Sequence, residues 1–256
     1  MNQPELLERA GAAGPPRRLR DRLVTAAAAA TVVTVIGVTN VLTAPGGSGT
    51  VPLPGPEPGP VAMRLVGFGH AAIAVPKIWG TNVSRCGTPR RDTVLIDDPS
   101  AASYCDLPRP PGVDSVELST VPPTGFQVDE IFTVDGVRAE RRRTTCASDD
   151  VCWGAVGIPS LQVWFRASSS TSADEVERIL ARIAIVRDQV GVPSSRSLDE
   201  SRSGTAYAKL LQRLGLRAEF RTRTSLVYKQ GRVVGISPSP GTLLSPGDTV
   251  SLTVIK

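Results

Sequence analysis

The sequence predicts an α+β protein built in three parts: a single N-terminal transmembrane helix, an extracytoplasmic α+β domain, and a small C-terminal unit with one helix on a three-stranded sheet. Three observations predict it. Residues 23–44 carry no charged side chain. Residues 45–61 interleave prolines with glycines. Residues 189–256 place one helix-period segment ahead of valine-rich strands that are separated by Pro-Gly turns.

Residues 1–22 read as a short cytoplasmic tail and 23–44 as the span. At 1.5 Å per residue, about 20 apolar residues cross a hydrocarbon core of roughly 30 Å. Arg9, Arg17, Arg18, Arg20 and Arg22 crowd the front of the run, and the first charge behind it is Glu57. That asymmetry places the N-terminus in the cytoplasm and the C-terminus outside the cell membrane, with 23–44 in the lipid bilayer. A cleaved leader is the competing reading. The apolar run exceeds the ~7–15 residues of a signal-peptide core, and Pro45 directly follows Ala44, so an uncleaved anchor is expected. The 45–61 linker cannot pack a core; in the extended regime of about 3 Å per residue it reaches on the order of 50 Å.

Residues 62–188 are long enough for an independent core. Ala71–Val75, Thr93–Ile96, Ser115–Leu118, Phe126–Val134 and Leu161–Arg166 are the predicted strands. Ser172 and Glu175 stand at capping-box spacing ahead of a helical stripe of Val176, Ile179, Leu180 and Ile183. All four cysteines, Cys86, Cys105, Cys146 and Cys152, fall in this segment. An even count in an exported domain predicts disulfides. Three pairings are open; Cys86 with Cys105 and Cys146 with Cys152 are favoured, because each staples a polar loop locally. The longer of these loops is worth roughly 3 kcal/mol on the chain-entropy model and the shorter one less.

In residues 189–256, Ser203 or Thr205 is the predicted N-cap of a helix that carries Ala206, Leu210, Leu211 and Leu214 on its apolar face, with Gly215 closing it. Arg217 to Arg223 alternates Ala218, Phe220 and Thr222 against Arg217, Glu219, Arg221 and Arg223, the period of a half-buried strand. Val233, Val234 and Ile236 precede Pro238-Ser239-Pro240-Gly241, and Val250, Leu252 and Val254 follow Pro246-Gly247-Asp248. With Val192-Pro193 in front, this segment resembles a PASTA domain, the repeat associated with penicillin-binding proteins and serine/threonine kinases of bacterial cell envelopes. The resemblance implies the helix-on-sheet fold and, for some members, muropeptide recognition. Tyr207 departs from it, standing where the family carries a small alanine. The stretch from Ile73 to Cys105, with its VPKIW and CGTPRRDT pieces, resembles extracytoplasmic domains of actinobacterial membrane proteins, which implies no activity.

Enzyme signatures are weak, and no enzyme activity is expected. His70 is the only histidine, and there is no Gly-x-Ser-x-Gly elbow, His-Glu-x-x-His pair or Cys-x-x-Cys pair. No metal, cofactor or catalytic residue is therefore predicted. His70 reads as a surface or core residue near a strand start. The acid pairs Asp97-Asp98, Asp129-Glu130 and Asp149-Asp150 and the run Arg141-Arg142-Arg143 read as solvated, with Asp149-Asp150 a turn. Asn82-Val83-Ser84 matches a glycosylation acceptor, a signal common by chance. Charge is more informative: 62–188 nets −2, whereas 189–256 holds ten basic and four acidic residues, a net +6. An anionic wall polymer, peptidoglycan or its muropeptides, is the expected partner, with Arg221, Arg223 and Arg232 as ligand-binding residues. Extracytoplasmic placement disfavours nucleic acid, and the short tail leaves no room for a kinase domain within this chain. Two function classes remain: a membrane-anchored protein that binds or senses the wall, or an envelope enzyme or protein-interaction domain in 62–188 that the C-terminal unit positions.

Overall fold

The structure is a computed structural model that describes residues 61–98, 105, 107–195 and 203–256. The expected tail, membrane span and nearly all of the linker lie outside the described residues. No helix among the described residues is long and apolar enough to cross a membrane. The described residues hold seventeen strands and two α-helices. The first strands are β1 (Met63–Phe68), β2 (Ala71–Pro76), β3 (Gly80–Thr81), β4 (Ser84–Arg85), β5 (Thr88–Pro89) and β6 (Thr93–Ile96). Next come β7 (Asp114–Ser119), β8 (Glu130–Val134), β9 (Val137–Cys146), β10 (Cys152–Ile158), β11 (Val163–Ser169), α1 (Ala173–Leu180) and β12 (Ile183–Ile185). The chain closes with β13 (Val190–Gly191), α2 (Gly204–Arg213), β14 (Arg217–Arg223), β15 (Val233–Ser237), β16 (Leu243–Leu244) and β17 (Thr249–Ile255).

A seven-stranded sheet in the order β3-β6-β7-β11-β10-β9-β8 is the frame of the larger part, and the three-stranded sheet β1-β2-β12 accompanies it. One core joins them: Phe68, Ile73 and Val75 from the small sheet, Val94, Val116, Val156 and Phe165 from the large one, and Val176, Ile179 and Leu180 from α1. Ser172 caps α1 by accepting the Glu175 N–H at 3.1 Å, as its spacing predicts. The predicted stripe on that helix ends early. Ile183 is not helical but begins β12, paired with Ile73, because Arg182 N–H closes the helix onto the Ile179 carbonyl.

Several predicted strands shift for local reasons. The expected strand at Phe126 begins only at Glu130, since Pro122-Pro123 opens a turn in which the Phe126 N–H donates to the Pro123 carbonyl. Leu161 belongs to a 3-10 turn, and the left-handed Gln162, at φ 53°, starts β11 two residues later than expected. Neither β1, β9 nor β10 is expected from the pattern. The glycines of β10 are packing positions: a Cβ on Gly154 would meet Thr144 Oγ1 at 2.7 Å and the α1 side chains Val176 and Leu180 at 3.3 Å, and one on Gly157 would meet the Trp164 ring at 2.4 Å.

Cys86 is bonded to Cys105 and Cys146 to Cys152, which leaves no free cysteine among the described residues. Cys146 and Cys152 stand directly opposite each other at the ends of β9 and β10, with Asp149-Asp150 in the intervening turn. The other acidic pairs are not simply solvated. Asp98 is buried and accepts a 2.5 Å bond from Ser84, Asp97 accepts one from Ser194, and Asp129 holds the Arg143 N–H. The basic run is likewise engaged on its first two members: Arg141 pairs with Glu177 of α1, and Arg142 lies 4.0 Å over the Trp153 ring. Arg109, mostly buried, reaches across β7 and β11 to Ser115, to both the hydroxyl and the carbonyl of Ser168, and to the Val113 carbonyl. Burial lowers its pKa to about 10, against the opposing pull of Asp114.

The C-terminal unit has its own core, with Val190, Val192, Tyr207, Leu211, Leu216, Val250 and Leu252 at its centre. A seam of backbone hydrogen bonds fastens it to the larger part. Gly69 and Gly191 exchange both N–H···O bonds at 2.7 and 2.9 Å, the Gly67 N–H donates to the Gly241 carbonyl, and Gly241 in turn donates to Val192. Gly241 belongs to the Pro-x-x-Gly turn. It sits at φ +88°, and a Cβ there would strike Ile96 Cδ1 at 2.4 Å and Val66 Cγ1 at 2.9 Å.

A Cβ on Gly191 would approach the Gly67 carbonyl oxygen to 2.1 Å. Gly191→Ala is therefore expected to lower stability in urea denaturation by about 2–3 kcal/mol. A change within about 0.5 kcal/mol, the ordinary surface range, would show that the seam opens without cost.

Candidate functional site

The C-terminal sheet has the order β14-β17-β15, with β14 parallel and β15 antiparallel to the central strand. Helix α2 covers one face. Ser203 is its N-cap, and the Gly204 N–H is taken up by the Gly231 carbonyl. Gly215, at φ +81°, closes it, and the Leu216 N–H returns to the Leu211 carbonyl in the manner of a Schellman cap. Tyr207 and Leu211 are fully buried, in one core with Val250 and Leu252. Tyr207, the residue out of family pattern, donates its hydroxyl to the Pro193 carbonyl at 2.5 Å. Burial, with the charge of Asp97 second, pushes its phenol pKa well up, so it remains a donor.

The opposite face of this sheet is open. Register places Arg217, Glu219, Arg221 and Arg223 in a row on β14, beside Thr249, Ser251, Thr253 and Ile255 on β17. Gly235 and Ser237 of β15 complete the face, opposite Thr253 and Ser251. Arg221 and Arg223 are about 6.6 Å apart along the strand, and Arg217 stands about 13 Å from Arg221 with Glu219 between them. The middle column is mostly short hydroxyl side chains and Gly235 adds none, so the row is open from Arg217 to Arg221, whereas at the Arg223 end the face is covered over the buried Ile255. The sequence pattern predicts β14 as half-buried, but only Ala218 is partly covered, while Phe220 is 49% exposed. The cause is position: β14 is an edge strand, and Gly204 at the very start of α2 already lies by Phe220, so Thr222 and Arg223 run beyond the helix.

The structure does not gather the three predicted ligand-binding arginines into one pocket. Arg221 and Arg223 share the β14 row. Arg232 lies across β17, 5.0 Å over the Tyr228 ring, in a cavity of about 320 Å³ that also takes in Ser195 and Pro240. Ile255 links the two sides, paired with Arg223 and donating its N–H to the Arg232 carbonyl. The ion pairs among the described residues all fall between Glu117 and Arg178. Among the described residues, Arg217, Arg221 and Arg223 therefore have no ion pair, and sequence alone could not separate them from the engaged arginines of the larger part.

His70 is held in place by backbone carbonyls. Its Nδ1 lies 3.1 Å from the carbonyl oxygens of both Val186 and Gln189. Among the described residues, no three His, Cys, Asp or Glu side chains gather to hold a metal ion.

One helix laid across a three-stranded sheet whose first and last strands run parallel, closed by Gly215 and by two Pro-Gly turns, defines a small helix-on-sheet module of the type the sequence pattern resembles. The chain carries a C-terminal PASTA domain: the PASTA domain family matches residues 201–256. Among solved structures, the chain is similar to the entire extracellular region of the Ser/Thr kinase PrkC from Staphylococcus aureus. That match has 26% identity and a TM-score of 0.24, and it covers 29% of this chain and 26% of that one. The chain thus spans about a quarter of that structure. No curated protein matches it.

Tyr207→Phe removes only the buried hydroxyl and is expected to cost about 1–2 kcal/mol. Tyr207→Ala, which restores the family residue, leaves a cavity and should cost about 3–5 kcal/mol. Thermal or urea unfolding of the two variants checks the order; an alanine variant as stable as the parent would show that the tyrosine is not part of the packing.

Proposed function

We propose that this chain is a single-pass membrane protein whose extracytoplasmic PASTA domain binds an anionic polymer of the cell wall, peptidoglycan or its fragments, and so tethers or senses the wall. Cell-wall-related extracellular binding or sensing is the function class that a PASTA domain supports. The peptidoglycan ligand, the membrane anchor at 23–44 and a binding rather than catalytic role are this reading's own. The observation that carries it is the open β14-β17-β15 face, where Arg217, Arg221 and Arg223 stand free of ion pairs among the described residues beside a column of hydroxyls. Free guanidinium groups raise the local concentration of anionic ligand and can take carboxylates or phosphates bidentately. Hydroxyls at the spacing of adjacent strands supply matching donors and acceptors for a glycan.

Co-sedimentation of the full chain with purified sacculi tests this. The parent protein is expected to sediment, and an Arg221→Ala, Arg223→Ala, Arg232→Ala triple variant to lose most of that binding. Retention should also fall as salt rises through the range that screens exposed charges. Failure of the parent protein to sediment at low salt would remove the wall-ligand reading.

A further inference from the structure

Between the two cores lies a cleft of about 610 Å³, within the size range of small-molecule sites. One wall is the β1–β2 turn together with the Ser160–Val163 turn; the facing wall is the last turn of α2. Most of its lining comes from outside residues 201–256, so it is not a feature of the PASTA domain itself.

Its polar groups have definite roles to offer. Both partners of His70 Nδ1 are carbonyl oxygens, so that nitrogen carries the proton and donates. In this tautomer Nε2 is the hydrogen-bond acceptor, and that atom has no partner among the described residues. Arg213, at the end of α2, forms no ion pair or side-chain hydrogen bond among the described residues either. Around these two the lining is mixed: Val121, Leu161, Leu210 and Leu214 form an apolar strip beside the polar Thr120, Ser160 and Gln162, and Val121 is 62% exposed at the cleft.

A fixed acceptor and a free guanidinium beside an apolar strip match one ligand chemistry. We propose that the cleft binds the carboxy-terminal end of a short peptide or an N-acyl amino acid. The carboxylate pairs with Arg213, the amide N–H donates to His70 Nε2, and the ligand side chain lies against Val121, Leu161 and Leu210. A simple fatty acid supplies the carboxylate and the apolar body but no N–H for His70. This proposal stands apart from wall binding on the open sheet face, since it uses none of the arginines of that face.

Calorimetric titration of the full chain with N-acetyl-alanyl-leucine, with its C-terminal amide and with octanoate tests it. The free acid is expected to bind about tenfold or more tightly than the amide, the scale of one hydrogen bond to a charged group, and more tightly than octanoate. Arg213→Gln should erase the difference between acid and amide, and Val121→Trp, which fills the mouth of the cleft, should weaken the acid by a similar factor. The proposal is overturned by any of four results: no binding of the acid, equal affinity for acid and amide, octanoate binding as tightly as the dipeptide, or unchanged affinity in both variants.

Discussion

The close approach of backbone to backbone at Gly67, Gly69, Gly191 and Gly241 is the constraint on which the rest depends. Hydrogen bonds of 2.7 to 3.1 Å between these residues place main-chain atoms where a side chain would otherwise stand. Gly69 meets two demands at once. It takes the positive-φ first position of the two-residue turn between β1 and β2 and exchanges both hydrogen bonds with Gly191, and a Cβ added there would lie 3.5 Å from Leu214 at the end of α2. Buried peptide groups are expensive to leave unpaired. Separating the two cores would expose Gly67, Gly69 and Gly191 together, which ties the PASTA domain to the sheet before it and gives the cleft its two walls.

The second determinant is how the arginines are spent. In the larger part they are structural: Arg109 bridges β7 and β11, Arg141 pairs with Glu177, and Arg142 and Arg166 both stack on Trp153, at 4.0 and 4.7 Å. Each of these cations is held by partners that also define the fold, so its charge is local. In the PASTA domain the row on β14 has no such partners among the described residues. The difference in net charge between the two segments is thus reinforced by a difference in commitment, and the second matters more for attracting an anionic ligand.

Much of the C-terminal unit was legible because each of its boundaries coincides with a residue that the backbone requires there. Gly215 closes α2 in the left-handed region, and Gly241 and Gly247 supply positive φ in the two Pro-Gly turns. The capping serine of α1 and strands β2, β6 and β7 were legible for the same kind of reason, since local chemistry and apolar period agree. Strands β9 and β10 were not. VRAERRRTTC reads as a solvated charge run because its apolar support comes from Trp153 and α1, distant in sequence, and CWGAVGI carries two glycines whose purpose appears only when Trp164 and α1 lie against them. Phe220 failed in the opposite sense: its alternation is correct, but an edge position beside only the first residue of the helix leaves it half exposed.

The site shows the same division. A row of arginines on one strand is visible in sequence because alternation along a single strand is a local property. A cleft built from residues near positions 70, 121, 161 and 213 is not, since only the seam brings them together. The two sites also respond differently to that seam. The open β14 row survives any motion of the PASTA domain as a unit, because every residue in it belongs to one sheet. The cleft exists only while Gly69 and Gly191 remain paired. A ligand that bridges His70 and Arg213 would bind the paired state alone, so its binding energy would add to the stability of the junction by mass action. The physical consequence is directional: occupation of the cleft would stiffen the link between the two cores, whereas occupation of the sheet face would leave that link unchanged.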